Sequence, residues 1–70
     1  MEKNQVYNSV SVIRKKFGLS QEELAQRVGV SRQTIISLEK GNYTPSVFLA
    51  LKITACFGVG VDELFSLQPR

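Results

Sequence analysis

Residues 19–41, LSQEELAQRVGVSRQTIISLEKG, place two short amphipathic segments on either side of a two-residue turn. Ser20 and Glu23 have the spacing of a capping box, in which each side chain bonds the other residue's backbone N–H. Ser31 can cap the second segment in the same way, and Gly29 can adopt the positive φ that a tight turn requires. The stretch therefore predicts two closely joined helices, over 21–28 and about 32–40.

Small and branched residues at the turn predict how these two helices pack. Ala25 and Gly29 allow the helices to approach closely, and Ile35 is expected to lock the second helix onto the first. The second helix is then held outward, with Thr34 beside a polar face made of Arg32, Gln33 and Ser37. An ordinary helical hairpin with a solvated face is the alternative explanation for this pattern.

The rest of the chain also predicts helices. A first helix near 9–17 has Asn8 as its cap, a stripe of Val10, Ile13 and Phe17, and Gly18 as its stop. A fourth begins at Pro45 and Ser46 and ends near Phe57, and a short turn follows around 62–65. Because strand signals are absent, we predict an all-α domain of five helices over residues 1–70, with a core at about 8–67.

Composition excludes several classes of protein. The chain has 70 residues, a net charge of +3 and a pI of about 9.4. No apolar run reaches the ~18 residues of a membrane span or resembles a secretion signal, so we expect a soluble, cytoplasmic protein without a membrane partner. With one cysteine and no histidine, neither a disulfide nor a structural metal is expected.

Residues suited to catalysis are also scarce. The chain has no histidine and no glycine-rich phosphate loop, and most of its six acidic residues lie at helix starts. We therefore expect no enzymatic activity, no catalytic residue, no cofactor and no small-molecule ligand.

Three motifs together resemble a known family. The stretch of residues 19–41, the segment YTPSVFLALKI and the segment GVDELF are similar to the phage repressor and Cro type of helix-turn-helix, the xenobiotic-response-element family. The resemblance covers about residues 8–65 and implies a sequence-specific DNA-binding transcriptional regulator. It further implies a homodimer on a palindromic operator, and we expect a repressor.

The resemblance also implies which residues contact DNA. In such a domain the second helix of the motif lies in the major groove, and the base-reading positions fall on Arg32, Gln33 and Ser37. The start of the preceding helix supplies Gln21 as a phosphate and groove contact. Positions that grip the backbone fall on Ser31, Thr34, Lys40, Asn42 and Tyr43. For Ser31, capping alone is an equally good explanation, and for Arg32 and Gln33 a solvated face remains the alternative.

Other positions are structural or depart from the family pattern. The resemblance implies an ion pair between Arg14 and Glu39, which joins the first helix to the third. Ile36 stands where polar residues are usual, and either meets thymine methyl groups or folds back onto the domain edge. Phe48 and Ala55 form either an interface patch or part of the core. Cys56 is expected to be a buried small apolar residue rather than a redox-sensing thiol.

A different function class is possible on the same scaffold. An antitoxin or adaptor would use these helices mainly to hold a protein partner. Antitoxins usually carry an extra segment for the toxin, whereas only five residues follow Phe65. Salt-dependent, sequence-selective DNA binding would favour the regulator.

Overall fold

The computed structural model describes residues 6–69, which form five α-helices and two very short strands. The ends of the predicted domain, residues 1–5 and 70, lie outside the described residues. The predicted five-helix fold class is confirmed. In chain order the elements are β1 (Tyr7–Asn8), α1 (Val10–Lys16), α2 (Gln21–Val28), α3 (Arg32–Glu39), α4 (Val47–Phe57), α5 (Val61–Leu64) and β2 (Phe65–Ser66).

The two strands correct the expectation that the chain has none. β1 and β2 pair antiparallel, with Tyr7 opposite Ser66 and Asn8 opposite Phe65. The backbone N–H of Ser9 continues this pairing by donating to the carbonyl oxygen of Leu64 at 2.8 Å. Strands of two residues are too short to show an alternating pattern, which is why the sequence carried no signal for them.

The helix starts agree closely with the predicted caps. The backbone N–H of Ser20 donates to Glu23 Oε1 at 2.8 Å, and the Glu23 N–H donates to Ser20 Oγ at 3.0 Å, which completes the capping box of α2. Ser31 caps α3 and Ser46 caps α4 through similar bonds. At α1 the N-cap residue is Ser9 rather than Asn8.

Asn8 nevertheless contributes to the start of α1. Its Oδ1 accepts a hydrogen bond from the backbone N–H of Val10 at 3.1 Å. Its Nδ2 donates to the carbonyl oxygen of Leu38 at 2.9 Å. The side chain therefore joins β1 to the last turn of α3 while it satisfies one free N–H group of α1.

The capping box lowers the pKa of Glu23 below its ordinary value. The main cause is the hydrogen bond from the backbone N–H of Ser20, and the Ser20 side chain and the charge of Arg27 add to it. A carboxyl group whose pKa is lowered by folding stabilises the folded state at neutral pH. This contribution is lost as the pH falls through the folded-state pKa.

Ser20→Ala is expected to raise the pKa of Glu23 part of the way towards its ordinary value. The substitution removes the contribution of the hydroxyl group, whereas the backbone N–H at position 20 still donates to the carboxylate. An NMR pH titration of the Glu23 side chain in both proteins measures the shift. An unchanged titration midpoint would show that the hydroxyl group has no part in it.

One hydrophobic core receives residues from all five helices. Its largest fully buried side chains are Val10, Leu24, Ile35, Leu38, Ile53 and Leu64. Phe17, predicted to share a stripe with Val10 and Ile13, lies outside this buried set and is 53% exposed. Its ring packs on that of Phe57 at a centroid distance of 5.1 Å. Cys56 is half-buried rather than buried and packs against the core.

The turn between α2 and α3 has the predicted backbone conformation. Gly29 ends α2 in the left-handed conformation, with φ of 76°. A Cβ atom at this position would meet only Lys52 Nζ, at an ordinary contact distance of 3.5 Å. The positive φ, rather than lack of space, is therefore the reason for glycine. Ala25 and Ile35 are both buried, and α2 and α3 pack against each other.

The longest helix, α4, has 11 residues. Among residues 6–69, no helix has the length and apolar character needed to cross a membrane.

Candidate nucleic-acid interface

The outer face of α3 carries the predicted base-reading side chains. Arg32 and Gln33 are exposed in its first turn, and Ser37 is half-buried one turn later. Gln33 Nε2 lies within hydrogen-bonding distance of Ser37 Oγ, at 3.5 Å. Because Ile35 and Leu38 are fully buried on the opposite side, the structure brings these three polar residues together on a rigidly held surface.

The start of α3 presents two hydroxyl groups. Ser31 Oγ accepts the backbone N–H of Thr34 at 3.2 Å and lies 2.9 Å from Thr34 Oγ1. Ser31 is therefore a cap in this structure, which was one of its two explanations. Backbone N–H groups in the first turn of a helix have no partner within the helix, and the helix dipole makes this end favourable for an anion.

Gln21, at the start of α2, is half-buried and fixed in position by a hydrogen bond across the domain. Its Nε2 donates to Glu39 Oε1 at 3.1 Å. That bond uses one of the two amide hydrogens, so the amide still has a hydrogen and a carbonyl oxygen for other partners. The sequence indicated the position of Gln21 but not this bond.

The ion pair between Arg14 and Glu39 is confirmed. Arg14 Nε donates to Glu39 Oε2 at 2.7 Å and Nη2 donates to Oε1 at 3.2 Å. Arg14 Nη1 also donates to the carbonyl oxygen of Leu19 at 2.8 Å. The two side chains are only 10% and 7% exposed. With the Gln21 bond, this network connects α1, the segment before α2, α2 and the end of α3.

The loop after α3 carries the remaining predicted residues. Lys40 is the exposed C-cap residue of α3. The backbone N–H of Asn42 donates to the carbonyl oxygen of Ser37 at 2.9 Å, which ties the loop to the helix. Asn42 and Tyr43 are exposed. The same loop exposes Thr44, which was not among the predicted residues and whose only signal was its place in the segment GNYTP.

Ile36 lies between these polar residues on α3 and is half-buried. It does not belong to the buried core. Both explanations of this residue, contact with thymine methyl groups and packing at the domain edge, remain predictions.

The sequence matches a family of known proteins. A helix-turn-helix family model matches residues 12–64, which is well over half of the chain. The chain belongs to this repressor and Cro type of helix-turn-helix family. An uncharacterized HTH-type transcriptional regulator of Bacillus subtilis, YgzD, is 48% identical over 61 residues, covering 87% of this chain and 92% of the relative.

Two further relatives of this helix-turn-helix domain are informative. The N-terminal DNA-binding domain of SinR from Bacillus subtilis has a TM-score of 0.68 at 32% identity, covering 74% of this chain and 77% of that domain. The cryptic phage CTXphi transcriptional repressor RstR of Vibrio cholerae is 38% identical over 48 residues. That similarity covers 69% of this chain and 43% of the repressor.

A surface depression of about 300 Å³ lies beside the end of α3. Its walls come from β1, α1 and the α3 C-terminus, and include Tyr7, Val12 and Lys40. The described part of the domain therefore has a small open cavity. The expectation that the protein takes no small-molecule ligand remains a prediction.

Proposed function

We propose that this helix-turn-helix protein is a transcriptional regulator that binds double-stranded DNA in a sequence-specific way, with α3 in the major groove. One observation carries the proposal: the polar outer face of α3 is exposed on a helix whose other side is fixed by the core and by the Arg14–Glu39 pair. A helix held in this way can present side chains to base edges at defined positions.

Base reading is assigned to Arg32, Gln33 and Ser37. The Arg32 guanidinium group can donate two hydrogen bonds to guanine O6 and N7, and the Gln33 amide can pair with adenine N6 and N7. Each such pair discriminates against the wrong base by about 1–3 kcal/mol. The Ser37 hydroxyl group beside Gln33 can hold the amide in position or bond a base itself.

Backbone contacts are assigned to the residues around the reading face. Gln21 and Thr34 lie at the starts of α2 and α3, where free N–H groups and the helix dipoles attract phosphate. Ser31 would contribute through its position at the start of α3, because its Oγ is already the cap. On the other side of the face, Lys40, Asn42 and Tyr43 are exposed and can neutralise or bond a second stretch of phosphates.

The proposal also covers how many copies bind the operator and whether binding represses or activates transcription. Two copies related by a two-fold axis can read half-sites about 34–36 Å apart along a palindromic operator. A domain that occupies an operator excludes other proteins from it, and the relative RstR is named a transcriptional repressor. We therefore assign a homodimeric repressor that acts in the cytoplasm.

Selection of bound sequences from a random duplex pool tests this function. We expect the full chain to enrich one sequence with two-fold symmetry, whose binding weakens steeply as salt increases. Enrichment of no sequence, together with a protein that co-purifies with the chain, would instead favour the antitoxin or adaptor class. Enrichment of an asymmetric site would contradict the palindromic operator but not DNA reading.

A further inference from the structure

The outer side of α4 is apolar although it faces solvent. Val47, Phe48 and Leu51 are 76%, 72% and 51% exposed, and Ala55 is also exposed. At 3.6 residues per turn these four residues share one stripe, opposite the buried side chains of Leu49, Ile53 and Phe57. We call this stripe the α4 patch. Of the two explanations for Phe48 and Ala55, the structure therefore excludes the core.

The size of the α4 patch is notable for so small a domain. The exposed parts of its side chains amount to roughly 400 Å², within the range of about 300–600 Å² for the largest apolar patch on a typical monomer, which is often functional. Lys52 lies at its edge, with Nζ 5.3 Å from the centre of the Phe48 ring. None of the four residues of the patch is charged.

We propose that the α4 patch is the surface through which two copies of this chain pair. The inference rests on the proposed function and names the contact that would join its two DNA-reading domains. A two-fold interface brings the same surface of each copy together. An apolar stripe without charge can face itself without like-charge repulsion, while each Lys52 remains at the wetted rim.

The position of the patch suits two copies on one duplex. Val47 follows Tyr43 by four residues, a chain length of at most about 14 Å, so the patch starts close to the loop assigned to phosphate contacts. The domain measures 37 × 22 × 21 Å. Two such domains that meet beside α4 have the breadth to place their α3 helices about 34 Å apart, one turn of the duplex.

The area of the patch also predicts how strong the pairing is. A stable interface buries about 800 Å² on each partner, and the α4 patch supplies about half of that. The dimer should therefore be weak in free solution and become stable when both copies bind the same operator. Residues 1–5, MEKNQ, are poorly suited to cover the α4 patch in place of a second copy, because only Met1 among them is apolar.

Phe48→Glu in the full chain tests the inference. The side chain is largely exposed in the monomer, so the substitution should leave the fold intact while it places a charge in the centre of the pairing surface. We expect self-association, measured by sedimentation equilibrium over a wide range of concentrations without DNA, to weaken about tenfold or more. Val12→Glu is the matched control, since Val12 is 56% exposed on α1 and lies outside the patch.

The second measurement uses DNA. On a selected palindromic site two copies of the unsubstituted chain should bind cooperatively, whereas two copies of Phe48→Glu should bind the two half-sites independently. A chain that stays monomeric at every concentration and binds its site as a monomer overturns the inference but leaves DNA reading intact. If Phe48→Glu and Val12→Glu self-associate equally strongly, the two copies pair through a surface other than the α4 patch. If no DNA site is selected, the sedimentation result alone decides.

Discussion

Glu39→Ala is expected to lower the free energy of unfolding by about 3–5 kcal/mol, the usual effect of removing one partner from a buried ion pair. The substitution leaves the Arg14 guanidinium group buried with only the Leu19 carbonyl oxygen as its partner, and it also removes the acceptor of the Gln21 amide. A domain of this size has about 4–10 kcal/mol of stability in total. The variant should therefore be close to unfolding at room temperature.

Urea and thermal unfolding followed by circular dichroism measure this effect. Glu22→Ala is the matched control, because Glu22 is an exposed acidic residue of α2 and its loss should cost at most about 1 kcal/mol. The double substitution Arg14→Met and Glu39→Leu should recover most of the stability, since it removes both buried charges together. A loss below about 1 kcal/mol in Glu39→Ala would show that the pair is more hydrated than its geometry indicates.

Local rules explain why the helix boundaries could be predicted. Ser20, Ser31 and Ser46 each cap the helix that follows, and Gly29 and Gly58 end helices in the left-handed conformation. Each of these signals acts within four residues of the chain. The starts of α2, α3 and α4 could therefore be read from short segments without knowledge of the tertiary structure.

Features that depend on distant residues were not predicted. The pairing of β1 with β2 joins segments more than fifty residues apart, and neither strand is long enough to show a pattern of its own. The exposed side of α4 was ambiguous because nearly every residue in that helix is apolar. Only packing against the other helices shows that Leu49, Ile53 and Phe57 face the core and that Phe48 does not.

Some features of the candidate site could be predicted from the sequence, and others could not. The helical repeat placed Arg32, Gln33 and Ser37 on one face, and the structure agrees. The Gln21–Glu39 hydrogen bond was not foreseen, because a contact between residues 18 positions apart requires the fold. The roles of these residues towards DNA follow from the family resemblance and from side-chain chemistry, and remain predictions.

Arg32→Ala and Gln33→Ala are expected to relax specificity, by about 1–3 kcal/mol of discrimination at the base pair that each residue reads. If these side chains reach base edges, their loss removes hydrogen bonds to particular bases while the phosphate contacts remain. Both are exposed and outside the core, so the variants should remain folded. Each variant's affinity should fall on the selected site and change little on a scrambled duplex.

Lys40→Ala is the comparison that separates base reading from phosphate contact. Lys40 is exposed at the end of α3, and we propose that its ammonium group neutralises a phosphate. Its loss should weaken binding to both duplexes alike and reduce the salt slope by about one per protomer. Titrations of all three variants against both duplexes at several salt concentrations measure the difference. Equal losses on the two duplexes for Arg32→Ala and Gln33→Ala would mean that this face of α3 does not read bases, since a residue that contacts only phosphate cannot distinguish one sequence from another.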